Sequence, residues 1–353
     1  MSVVALISKK ALEHNLGQLS SLISPAQLMF IVKANGYGHG SEIVSKIAVE
    51  SGIKLLGCLE IATALNLRKL PECNSVGLLA WQFDDQDPID LVAVNNIQLG
   101  VGNFEQLDLL AKSHSITGKA VRVHLKIDTG LNRNGVASED WKRFLMLAVS
   151  MEASGSIYVE AIWSHIAEKS DEDDDIARGI FLEALSQAEH LLGRKLTTHL
   201  SASSASFRRS EYRFDVVRNG GHAYGIPSFD GVSAETMGLI PVMTLTAPVV
   251  AIEKNSDGSN SVKIAAGYLH GIPGYAVNKV DLAIGGNRFR LVRVDSETLT
   301  AVGNSSVPLG EPAYLFGDGT HGEQTVREWG DAIGTLGDEI CCRISPTVER
   351  KLI

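Results

Sequence analysis

Eight short apolar runs, spaced along the first two thirds of the sequence, limit what this chain can become more than any other feature. They cover residues 28–32, 54–59, 76–81, 97–101, 121–127, 158–166, 196–200 and 214–217. Between several of them lie stretches with helical spacing, at 104–114, 139–151 and 176–192, so the pattern is a repeated β-α alternation. Eight such units predict a (β/α)8 barrel, an α/β fold whose site lies at the C-terminal ends of the strands. A doubly wound sheet would need fewer strands and a G-x-G-x-x-G turn after the first, and that turn is absent. Ser8 precedes a further helical pattern with Leu12, Leu16 and Leu19 on one face. After Gly225 the texture changes to short alternating runs at 245–253, 261–266, 288–294 and 313–316, interrupted by one helix over 325–333. The chain therefore divides into a barrel over 1–226 and a mostly β domain over 227–353, with residues 1–8 available to pair with the second domain.

Composition removes several function classes. With 32 basic and 41 acidic residues the net charge is −9, and no basic stripe offers a nucleic-acid surface. The N-terminal apolar stretch is too short for a signal peptide and no window reaches membrane-span length, which predicts a cytoplasmic protein. Cys58, Cys73, Cys341 and Cys342 show no C-x-x-C spacing and read as reduced structural thiols, and no metal site is expected.

The strand ends carry the chemistry. The first run closes in LMFIVKANGYGHG, residues 28–40, where Lys33 precedes a turn with Gly36, Gly38 and Gly40 that opens into a helix from about Ser41. Such a turn allows close backbone approach to a small anionic ligand. After the fifth run stands KIDTGLNRNGV with Lys126, Asp128 and Arg133, and after the sixth SHIAEKSDED with His165. The seventh ends in HLSASSAS, with His199 before Ser201, Ser203 and Ser204, and the eighth in VVRNGGHAYG, with Arg218 before Gly220 and Gly221. Loops after the last two strands of such barrels often bind phosphate, and serine hydroxyls and glycine amides suit that task. Taken singly, the same residues read as turn and cap chemistry.

The spelling KANGYGHG closely resembles the lysine motif of the alanine racemase family of pyridoxal-phosphate enzymes, and the resemblance extends over nearly the whole chain. It implies that Lys33 binds pyridoxal 5'-phosphate covalently and that Tyr37, Ser203, Gly220 and Gly221 hold its phosphate. Arg218 matches the arginine at the pyridine nitrogen, His165 the histidine between that arginine and a second catalytic base, and Arg133 the arginine near the substrate carboxylate. Lys126 matches a lysine that many members carbamylate; a buried salt-bridged lysine is the alternative. AAGYLHG, residues 265–271, resembles the GYxDG motif, which makes Tyr268 the second base. Racemisation asks for bases on both faces of a planar carbanion, Lys33 on one and Tyr268 on the other. In the family that tyrosine comes from the other subunit of a homodimer.

The resemblance therefore implies an isomerase that interconverts L- and D-alanine and supplies D-alanine for cell-wall precursors. Alternatives are a racemase of another amino acid such as serine, a related decarboxylase, which typically has a carboxylate in place of Arg218, and a non-catalytic pyridoxal-phosphate-binding protein. Some positions depart from the family pattern. The Met-Asp pair is missing from RVDSETL at 293–299, His270 stands for the aspartate of GYxDG, Pro346 for an entrance tyrosine, and TLGDEI at 335–340 lacks an Asn-Tyr pair; Ala202 replaces an asparagine.

Overall fold

The first strand, β1 (Val4–Ile7), serves the second sheet, and the next eight strands form the predicted barrel. These are β2 (Gln27–Ile31), β3 (Leu55–Gly57), β4 (Gly77–Ala80), β5 (Ile97–Val101), β6 (Val121–Lys126), β7 (Ile157–Trp163), β8 (Thr197–His199) and β9 (Val216–Asn219). The computed structural model describes residues 3–200, 203–229 and 231–353. All seven ladders are parallel, in the order β8-β7-β6-β5-β4-β3-β2-β9. The strands are almost wholly buried, as a sheet covered on both faces requires.

Two glycines make room for two indoles in this sheet. A Cβ on Gly100 would stand 2.8 Å from both Trp163 Cζ2 and Trp81 Cβ, and one on Gly57 would stand 3.2 Å from Trp81 Cζ3. The two Trp rings meet edge to face at 6.1 Å. Side chains from strands that are not neighbours thus touch, which is how a barrel interior is filled.

Between β8 and β9 no backbone ladder runs among the described residues, and side chains close the ring instead. The Asp215 carboxylate accepts the Thr198 N–H at 2.9 Å and its hydroxyl at 2.5 Å. Arg218 donates to the carbonyls of His199 at 3.0 Å and Leu200 at 3.1 Å.

The helices follow the sequence reading with displaced ends. The helix expected over 176–192 starts at Asp171, capped by the Ser170 hydroxyl, which accepts the Asp173 N–H. The acidic run that contributes to the net charge is its first turn, where carboxylates face the unpaired N–H groups. The 104–114 pattern runs on to Thr117 and stops at Gly118 in the left-handed region, φ 66°.

By internal contacts the chain forms two compact units. One comprises Leu19–Lys33 and Ala48–Gly220; the other comprises the described residues through Gln18, then Ala34–Ile47 and Gly221–Ile353. The second unit's strands are β10 (Met243–Lys254), β11 (Asn260–Ile264), β12 (Asp281–Ile284), β13 (Asn287–Val294), β14 (Leu299–Gly303), β15 (Pro312–Phe316) and β16 (Glu349–Leu352). They pair antiparallel in the order β11-β14-β13-β12-β15-β10, and a β10–β11 ladder closes these six into a ring. β1 adds antiparallel to β10, and β16 adds parallel to β1. Gly285 and Gly286, with φ 55° and 76°, form the two-residue turn between β12 and β13. The helix Val326–Ile333 has a capping box of Thr325 and Glu328, and a short helix Gly337–Arg343 follows that the sequence pattern did not reveal. Among the described residues no helix is long and apolar enough to cross a membrane, and no group of acidic, histidine or cysteine side chains could hold a metal ion.

Candidate active site

Lys33 follows β2 by two residues, after Val32 has given its N–H to Gly57 O at 2.9 Å. The glycine-rich turn behind it is not an ordinary turn. Ala34, Asn35, Gly36, Tyr37 and Gly38 all have positive φ, between 50° and 79°, and Ala34–Gly36 follow the path of a left-handed helix. For residues other than glycine that conformation costs roughly 1–2 kcal/mol each, so the surroundings must hold it. Gly38 N–H bonds Ala34 O and Gly40 N–H bonds Asn35 O, each at 2.9 Å. The Asn35 side chain accepts the Ser41 N–H that opens the helix Ser41–Glu50. His39 Nδ1 donates to Gly36 O at 3.0 Å and Tyr37 O at 2.8 Å, and burial lowers its pKa to about 4, keeping the ring neutral. Arg350 donates to Gly38 O at 2.9 Å and also to Ile344 O and Val348 O, tying the turn to the C-terminal loop. Gly38 is indispensable sterically, since a Cβ there would lie 2.0 Å from Cys341 O. Tyr37 and His39 both pack on the Tyr224 ring, at 5.1 and 4.5 Å. Burial, then the nearby Asp338 and Cys342, raise the Tyr37 phenol, which therefore keeps its proton as a donor.

In the barrel unit the site is built around Arg218, which is only 6% exposed. Its guanidinium donates to neutral acceptors: His199 Nδ1 at 2.7 Å, His165 Nδ1 at 3.1 Å, Ser164 O at 2.7 Å, and the two carbonyls at the seam. No carboxylate appears among these partners. Burial, then Arg133, pull its pKa down to about 9, so it remains charged near neutrality. His165 is held well below the usual imidazole range by burial and then by Arg218, Arg133, Lys126 and Lys33, four cationic groups whose fields reach one ring. A cluster of cations with so little negative charge is suited to an anionic ligand.

Lys126, 4% exposed at the end of β6, donates to the Asn134 side-chain oxygen, and its ammonium sits 4.6 Å from the Trp163 ring centre. Burial, then Arg218 and Arg133, lower its pKa to about 7, while Asp128 opposes this weakly. The salt bridge considered as the alternative for this lysine is not formed among the described residues; its partner is an amide. The loop bearing exposed Arg133 folds back along β6 through Asp128 N–H to Val136 O and Val136 N–H to Lys126 O, both 2.9 Å. Gly135 permits this, since a Cβ there would stand 2.8 Å from Asp128 N.

The loops after β8 and β9 meet where Gly220 N–H points to Ser203 Oγ at 3.4 Å. Gly221 O accepts the Ile226 N–H at 2.9 Å. Ser201 and Ala202 lie outside the described residues.

Tyr268 begins a short turn in the second unit and is 57% exposed. Its N–H bonds Asp295 O at 2.9 Å, and His270 Nδ1 accepts the Gly267 N–H at 3.0 Å. His270 is an acceptor closing the turn, a task the family's aspartate could perform equally. Gly267 cannot carry a side chain, because a Cβ would lie 2.4 Å from Asp295 O.

Sequence reasoning gave no role to His199, His124, Asn134 or Arg350. His124 had a visible signal, a ring in phase with Arg122 and Lys126 in a run whose other positions, Val121, Val123, Leu125 and Ile127, are all apolar; Arg350, in an edge strand, had none.

Comparison with known proteins agrees with this architecture. The N-terminal domain model of alanine racemase matches residues 7–228, and the C-terminal domain model matches residues 251–352. The chain belongs to the alanine racemase family. An alanine racemase of Thermobifida fusca is 32% identical over 98% of this chain and 96% of the relative. The crystal structure of alanine racemase from D-cycloserine producing Streptomyces lavendulae superposes with a TM-score of 0.95 at 28% identity, over 100% of this chain and 97% of that one. The alanine racemase of Bartonella henselae, described with covalently bound pyridoxal phosphate, shares the fold at a TM-score of 0.86 and 20% identity, over 100% and 99% of the two chains.

Proposed function

We propose that this protein is a pyridoxal-phosphate-dependent isomerase that interconverts L- and D-alanine by a two-base mechanism. The observation that carries the reading is a buried Arg218 that donates to His165 and His199 and meets no carboxylate among its partners, in the barrel of a chain that belongs to this family. The residues present fit the cofactor: a primary amine for its carbonyl, a buried guanidinium with no carboxylate partner for its ring nitrogen, and a hydroxyl beside glycine amides for its phosphate. When bound, pyridoxal phosphate supplies a conjugated system that takes up the charge left at the substrate α-carbon.

Lys33 anchors the cofactor and exchanges the α-proton on one face, and Tyr268 does so on the other. Arg218 donates toward the ring nitrogen without surrendering its proton, which limits how much charge the ring accepts. Tyr37, Ser203, Gly220 and Gly221 bind the phosphate, and His165 is held by Arg218. Arg133 orients the substrate carboxylate. Lys126, whose pKa of about 7 leaves part of it as the free amine, adds carbon dioxide through that nitrogen and releases one N–H proton to water, giving a carbamate that positions Arg133. The reading includes a homodimer with shared sites, acting in the cytoplasm.

Proton exchange tests it. Purified protein given cofactor should incorporate solvent deuterium at the α-carbon of both alanine enantiomers and interconvert them, with serine a poor substrate. Lys33→Ala should abolish both the exchange and the cofactor's bound absorbance. Exchange confined to serine would reassign the substrate, and a borohydride-trapped adduct on another lysine in the variant would remove Lys33.

A further inference from the structure

Arg218 opens a line of hydrogen bonds that the proposed chemistry does not use. His199 Nδ1 faces Arg218 at 2.7 Å, and His199 Nε2 faces His124 Nδ1 at 2.8 Å. His124 Nε2 faces Gln98 Oε1 at 3.1 Å, and Gln98 Nε2 faces Glu160 Oε2 at 3.3 Å. Glu160 in turn takes the Arg122 guanidinium, with Nε at 2.5 Å. The line passes through side chains of β9, β8, β6, β5 and β7, and every ring or amide between its ends is buried.

The polarity of this line is fixed from both ends. A guanidinium can only donate, so His199 Nδ1 must be bare and its proton must sit on Nε2. That proton is given to His124 Nδ1, which leaves the His124 proton on Nε2, aimed at the Gln98 oxygen. Starting from Glu160, whose carboxylate can only accept, the Gln98 amide must present its NH2 there and its oxygen to His124. The two derivations meet without conflict. Burial, then Arg218, hold His199 well below the usual imidazole range, and burial, then Arg122, lower His124 to about 3, so both rings stay neutral with one proton each. Trp163 stacks on His199 at 5.3 Å and donates its indole N–H to His124 O at 3.0 Å, which fixes the rings in place.

We infer that His199, His124 and Gln98 form a one-directional positioning relay, anchored at Glu160, that keeps the acceptor nitrogen of His199 turned to Arg218 and thereby sets how Arg218 presents its Nε–H to the cofactor ring. If Gln98 lost its amide, His124 could place its proton on Nδ1, His199 would follow, and an N–H would confront the guanidinium. The relay rests on the proposed role of Arg218 at the ring nitrogen.

Neutron diffraction from perdeuterated crystals of the cofactor-loaded protein reads the relay without any substitution. Deuterons are expected on Nε2 of His199 and of His124 and on neither Nδ1; a deuteron on either Nδ1 overturns it. Gln98→Met, similar in length but without the amide, tests the consequence. It should lower kcat by about 10-fold, with KM little changed, as outer-shell changes commonly do, and should shift the absorbance maximum of the bound cofactor. A folded variant with unchanged kcat and spectrum would also overturn the relay. An inactive wild type would instead remove the racemase reading, so the two failures are distinguishable.

Discussion

Tyr268 is the proposed second base. It lies on a turn held by its own backbone, Tyr268 N–H to Asp295 O and Gly267 N–H to His270, so the side chain is displayed while the main chain is fixed. Tyr268→Phe removes the oxygen without disturbing those bonds. The variant should still bind cofactor, while α-deuterium exchange from L-alanine falls by about 10²–10⁴-fold, the usual contribution of a general base. Exchange from D-alanine should survive better, because Lys33 remains on that face. Equal losses for both enantiomers would make Tyr268 structural. At this scale the sequence was legible in placement: Lys33 and Arg218 were read at the ends of apolar runs, and they lie just past β2 and within β9. It was mute where a residue works only through distant partners: Asn134 meets Lys126, and Arg350 meets Gly38, only once the chain is folded.

Among the elements, the left-handed turn after Lys33 is the most demanding. The apolar runs foretold every barrel strand, because two-sided burial writes itself into composition. The handedness of the turn was not foretold, since nothing intrinsic to Ala34, Asn35 or Tyr37 requires positive φ. His39, Arg350 and Ser41 impose it. Two alanine substitutions separate intrinsic from imposed cost. Gly52→Ala, at φ 90° with no atom within 4 Å of the new methyl, should destabilise by about 1 kcal/mol. Gly38→Ala, at φ 79° and 2.0 Å from Cys341 O, carries that cost plus a backbone collision and should exceed about 3 kcal/mol in chemical unfolding. Equal costs would mean that the C-terminal loop moves aside freely.

For the whole molecule, the proposed bases belong to different units, Lys33 to the barrel and Tyr268 to the β unit. Shared sites between two subunits predict complementation. Lys33→Ala and Tyr268→Ala proteins, each inactive, should regain activity when mixed under subunit exchange, because one site of each hybrid unites both intact bases. Hybrids demonstrated by mass spectrometry yet inactive would place both bases of a site in one chain. The two-part organisation was visible in the shift of texture after Gly225, but the return of β1 to the second sheet beside β16 depends on pairing between the two ends of the chain, which local patterning cannot record.

The seam between β8 and β9 bears on how such a chain can change over generations. Where a ladder joins two strands, one inserted residue shifts every pairing beyond it. Where Asp215 and Arg218 side chains make the join, no register crosses the seam, and each strand takes its register from its other neighbour alone, β8 from β7 and β9 from β2. The loops leaving these two strands carry Ser203 and Gly220. A change at Asp215 or Arg218 is therefore felt at this one junction, beside the proposed phosphate grip, while the other seven junctions keep their backbone ladders.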